Sequence, residues 1–207
     1  MGFIRFLPVL AIFSALCGGA FGAVEPTLAV KQGLWTLDMS FEHPQELITR
    51  VPGEGVKTFW YVIMTVTNNT GKEVEFYPSA ELTTDTLNSY PASQGLRRSV
   101  VRAIKRRHRE RYPFLESFES VDNTVLQGQD NAKDIAIVFP DFDPNAKTVK
   151  IYVAGLSNET AMIDHPTAKD PNGNPVPVIL RKSLELEYAT GGQGRELAFV
   201  GKKWVMR

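Results

Sequence analysis

The chain has 207 residues, 43% of them hydrophobic and 22% charged, with a formal net charge of zero. That length gives room for one domain with a sizeable core or two very small ones, and the composition excludes a disordered chain. A single cysteine excludes an intrachain disulfide.

The chain opens "MGFIRFLPVLAIFSALCGGAFGA", with a basic Arg5, an apolar run from Phe6 to Cys17 and then small residues. This three-part start predicts a secretory signal peptide over residues 1–22, with Ala20-Phe21-Gly22 offering the small side chains a signal peptidase requires. The apolar run is shorter than the ~20 residues of a membrane span. The expected product starts at Ala23 and is secreted or periplasmic. A lipoprotein is the alternative, with Cys17 acylated as its first residue, but such signals place a small residue where Leu16 stands. Cleavage before Ala23 leaves no thiol, so stability has to come from the core and thiolate chemistry is excluded.

From Leu34 the pattern is β. In "LWTLDMSFE" Trp35, Leu37, Met39 and Phe41 share one face, the period-two signature of a half-buried strand. "ELITRV" extends it or forms a short edge, and Pro52 to Gly55 supply turn chemistry. "VKTFWYVIMTVTNNTG", dense in β-branched and aromatic residues, predicts a long central strand. Asn68-Asn69-Thr70-Gly71 ends it in a turn, and "KEVEFYPSAELTTD" is expected to return as its hairpin partner. Four further strand patterns follow: "NTVLQGQDNAKDIAIVF", "KTVKIYVAGLS", "PVILRKSLELEYAT" and "RELAFVGKKWVM". Roughly seven to nine strands separated by turn signals predict an all-β antiparallel sandwich as a single domain over 23–207. No strand–helix alternation of a parallel sheet occurs.

Several of these stretches ("FWYVIMTVTNNTGKEVEFYPSAELTTD", "VLQGQDNAKDIAIVFPDFD", "VKIYVAGLS" and "KKWVMR") resemble an uncharacterised family of secreted proteins from planctomycete-type bacteria. "TVTNNTG" is also similar to the immunoglobulin-like sandwich of many bacterial lipoproteins and envelope proteins. The resemblance implies an envelope location and an immunoglobulin-like fold, and it implies no site residues.

One segment departs from the β pattern. "RRSVVRAIKRRHRER", Arg97 to Arg111, carries eight Arg and Lys residues against one Glu. Leu96, Val100, Ile104, His108 and Tyr112 recur every four residues with Val101 alongside, which predicts one inserted amphipathic helix over about 93–112. Ser93 is the expected N-cap and Pro113 the stop. Outside the segment the chain beyond residue 22 has 14 basic and 22 acidic residues, "ESFESVD" directly downstream among them. Two readings follow. In the first, the basic face is solvated or paired with the chain's own acids, and the protein is a non-enzymatic envelope component that binds or scaffolds others. In the second, Arg97, Arg98, Arg102, Lys105, Arg106 and Arg109 bind anionic lipid or glycan as a peripheral site. The run has no interleaved aromatics for stacking bases, and nucleic acid is not an expected partner.

No catalytic, cofactor or metal motif stands out. His43, His108 and His165 lie in separate segments. Asp141, Asp143 and Asn145 open like a calcium loop, but Ala146 replaces its glycine and Tyr152 stands where its final Glu belongs. Asp170 to Asn174 reads as a hairpin tip. Glu185 and Glu187 share a strand face on which solvation is as good an account as acid–base chemistry. Asn68-Asn69-Thr70 and Asn158-Glu159-Thr160 fit the glycosylation sequon.

Overall fold

The computed structural model describes residues 27–28, 33–191 and 196–207. The expected leader, Cys17 and the cleavage point before Ala23 lie outside the described residues. Before the helix run strands β1 (Thr27–Leu28), β2 (Asp38–Phe41), β3 (Gln45–Val51), β4 (Gly55–Asn68), β5 (Val74–Glu75), β6 (Ser79–Thr84) and β7 (Ser89–Pro91). Helix α1 (Arg98–His108) is followed by β8 (Glu116–Ser117), β9 (Thr124–Val125) and β10 (Gly128–Pro140). The chain then forms β11 (Thr148–Ala154), β12 (Thr160–Lys169), β13 (Pro175–Thr190) and β14 (Leu197–Met206).

These strands make the expected all-β sandwich. The smaller sheet is built on β4, which takes β10 along one edge and β2 and β3, end to end, along the other. Among the described residues its one parallel contact is β8 against β10. The larger sheet runs β1-β12-β13-β11-β6-β7, with β14 on β13 as well. β13 is long enough to serve two partners on one edge. Residues 175–181 pair with β12, residues 183–189 pair with β11, and β14 occupies the opposite edge. Gly155 lets the chain step between β11 and β12. It sits at φ +89°, and a Cβ there would meet the Tyr77 carbonyl oxygen at 2.6 Å.

Two apolar layers follow from the strict alternation of β4. Trp60, Val62, Met64 and Val66 point between the sheets and meet Ile151, Leu184, Leu186 and Tyr188 of the larger one. Phe59, Tyr61 and Ile63 point the other way, where Val100 and Ile104 of α1 cover them together with Leu115. The helix is therefore a third layer, outside the smaller sheet. Full burial of each such side chain is worth about 1.5–3 kcal/mol, so α1 is held chiefly by two residues and their rim of Leu96 and Tyr112.

Three expectations are corrected. First, β4 and β6 are not hairpin partners. The buried Asn68 amide donates to the Lys72 carbonyl at 2.7 Å and to the Val125 carbonyl at 2.8 Å, which ties the end of β4 to β9. The chain leaves the smaller sheet there, pairs β5 with β9, and enters the larger sheet as β6. Second, α1 is shorter than about 93–112. Ser93 (φ 65°) and Gly95 (φ 65°) are both left-handed, which helical geometry forbids, and the Ser93 amide donates to Val138 instead. Arg97 is the N-cap and provides no side-chain bond. Third, β12 is a strand that the sequence pattern did not reveal. The hairpin tip at Asp170 is present, its carboxylate accepting the Asn172 and Asn174 amides at 2.9 Å each.

Candidate anion-binding surface

With Val100 and Ile104 turned to the sheet, the outer face of α1 is set by the turn angle of about 100° per residue. Arg98, Arg102, Lys105, Arg106 and Arg109 fall within about 100° of arc opposite the buried pair. They form one ridge, about 16 Å long at 1.5 Å per residue. All five are exposed. Among the described residues none of the five makes an ion pair or side-chain hydrogen bond. Like charges at these spacings repel, and the first turn contains no acid to offset Arg98 at the positive end of the helix dipole.

The flanking cations behave differently. Arg97 donates through Nε to Glu54 at 2.8 Å, and Lys57 reaches the same carboxylate at 2.5 Å. These bonds, Lys57 first and Arg97 second, hold the Glu54 carboxyl below its usual range. Arg111 pairs with Glu42 at 2.5 Å and lies over the Tyr112 ring. The Tyr112 hydroxyl donates to Glu42 at 2.8 Å; burial, then this bond, pushes its pKa up to about 12. Arg107 turns under the helix, donating to the Glu46 carbonyl at 3.0 Å and toward the Tyr61 hydroxyl at 3.4 Å. His108 meets that hydroxyl through Nε2 at 2.8 Å.

Of the six sequence candidates, Arg97 is therefore paired, and the other five stand together. The expected neutralisation by the chain's own acids is confined to the helix flanks. Downstream, Glu116 goes to Lys133 at 3.8 Å, and Glu119 lines a furrow beside Arg98, Arg102 and Lys105 with no ion pair among the described residues. Other acids are held on the far sheet, where Glu81, Tyr152, Glu185 and Lys203 sit in register across β6, β11, β13 and β14. There Glu185 is buried and accepts Lys150 at 3.3 Å and Lys203 at 3.2 Å, while Arg207 pairs with Glu81. Its strand face is thus tied down rather than solvated, which corrects the sequence expectation for Glu185.

The furrow is ≈ 600 Å³ and has Leu96 and Val101 in its lining. A neighbouring depression of ≈ 320 Å³ shares Lys105 and includes Tyr112, Pro113 and Phe114. Phe114 is 85% exposed and escaped the sequence reading, since an aromatic after a helix-stopping proline looks the same whether it turns inward or outward.

The remaining candidates have local partners. His43 contacts the Tyr188 hydroxyl at 3.3 Å and packs on Phe41 and Phe199. His165 accepts the Ala168 amide at 2.8 Å. Asp143 accepts the Asn145 amide at 2.9 Å, and Asp141 accepts the Trp60 indole at 3.2 Å. Among the described residues no three His, Cys, Asp or Glu side chains are grouped to hold a metal, and no helix is long and apolar enough to cross a membrane. The sequon at Asn68 is closed by burial, and Asn158 is engaged by the Trp35 amide and the Gly33 carbonyl. Comparison with protein-family models, with curated proteins and with solved structures finds no match.

Proposed function

We propose that this chain is an exported, non-enzymatic envelope protein with an immunoglobulin-like sandwich, which holds to an anionic surface through the outer face of α1. The observation that carries this reading is the ridge of five unpaired cations on one arc. Exposed cations without partners add nothing to the fold, and their mutual repulsion opposes it. An anionic surface offsets that repulsion, each Lys or Arg near it contributing ~1 kcal/mol. The leader-like start and the resemblance to secreted envelope sandwiches support export.

The test changes Arg102, Arg106 and Arg109 together to Gln, which has nearly the helix propensity of Arg. The exported chain is presented to anionic vesicles and to immobilised heparin. Wild type should bind in low salt and release as the Debye length shrinks from ~30 Å at ~0.01 M to ~10 Å at ~0.1 M. The triple variant should bind about a hundredfold more weakly, with a melting temperature unchanged or slightly raised. Wild type that binds neither probe, or binding that the triple change leaves intact, overturns the reading.

A further inference from the structure

We infer that the anionic surface is a lipid bilayer and that Phe114 is the side chain that enters it, an inference that rests on the anionic-surface reading above. Phe114 is held outward by its neighbours. Leu115 is buried at 3% exposure beneath the helix, Tyr112 is tied to Glu42, and the Leu115 amide closes the turn on the Tyr112 carbonyl at 3.2 Å. With both sides of the turn pinned inward, the phenyl ring has solvent as its surroundings. Lys105 lines the same depression, so the ring stands beside the ridge rather than elsewhere on the molecule.

The charge and the ring call for different parts of one partner. A soluble polyanion satisfies the cations and leaves the phenyl in water. A bilayer provides headgroup phosphates for the ridge and an acyl boundary for the ring within the same contact. An ordinary amphipathic membrane helix inserts its own apolar face, but here that face is occupied by Val100 and Ile104 against the sheet. The apolar contact therefore has to come from beside the helix, and Phe114 is placed to make it.

The test uses the exported chain, phosphatidylcholine vesicles doped with phosphatidylglycerol, and heparin as a soluble polyanion. Phe114→Ala should weaken vesicle partition about tenfold and leave heparin binding unchanged. A polarity-sensitive fluorophore on Phe114→Cys should shift to the blue on doped vesicles and be quenched by acyl-brominated lipid. The same label on Leu87→Cys, in the exposed turn between β6 and β7, should do neither. Vesicle binding that follows the arginines but ignores Phe114 overturns the insertion and leaves the anionic-surface reading standing. Heparin binding without vesicle binding overturns the bilayer and leaves a soluble polyanion. Binding to neither probe removes both.

Discussion

The side chain of Asn68 is buried, its amide donating to the carbonyls of Lys72 and Val125 while its oxygen accepts the Thr70 amide at 3.0 Å. All three bonds satisfy backbone groups at the point where the chain leaves β4. Asn68→Ala takes the side-chain donor from the buried Val125 carbonyl, whereas the exposed Lys72 carbonyl keeps the Thr70 hydroxyl at 3.1 Å, and an unsatisfied buried group costs about 1–3 kcal/mol. The variant should lose about 1–3 kcal/mol in urea unfolding. Asn69 is the control: exposed, its amide reaches only Asp38 at 2.8 Å, and Asn69→Ala should stay within about 0.5 kcal/mol. Equal losses at the two positions would show that Asn68 does not pin the crossover.

At the scale of the element, α1 is a thin layer whose docking includes a titratable group. Burial, above all, holds the His108 pKa below the ordinary imidazole value; Glu42 opposes this, and Arg107 and Arg111 reinforce it. A depressed folded-state pKa means stability that is fully present above the unfolded value of ~6.5 and is lost as pH falls through the lower folded value. Urea unfolding between pH 7 and pH 5 should therefore show a decline in wild type that His108→Gln removes, with His43 and His165 common to both. Parallel profiles would exclude His108 as the source. The helix itself was legible in the sequence, because Val100 and Ile104 recur at helical spacing; β4 was legible from its density of β-branched and aromatic residues, and β11 and β13 from strand-length patterns, all of them local signals. The partner of β4 was not legible, since the bond that diverts the chain runs from Asn68 to Val125, a contact that exists only after folding. Nor was β12, whose His165-Pro166 interrupts any strand pattern. Whether the ridge is paired depends on where the acids lie in space, and composition alone predicted a neutralisation that the fold withholds.

Across the whole molecule the two outer faces use their charges in opposite ways. The far face of the larger sheet binds its carboxylates to Lys150, Lys203 and Arg207, whereas the ridge on α1 has no such partners among the described residues. Burial alone would raise the Glu185 pKa, but bonds from Lys203, Lys150 and Tyr152 outweigh it and hold the carboxyl below its usual range. Its stabilising effect is thus complete above ~4.3, the unfolded value, and is lost as pH falls through the lowered folded value. Glu185→Gln should flatten the acid limb of the stability profile below pH ~4.3, and an unchanged limb would place the acid sensitivity elsewhere. The crossover at Asn68 also orders events in time. Val66 waits for Lys133 and Leu82 for Ile151, so neither sheet can close while only the first half of the chain has been made. Such distant pairings make folding slow, because loop closure precedes any reward. A growing chain of this topology therefore keeps both sheets open past its midpoint, the smaller until β10 has emerged and the larger until β11 and β13 have.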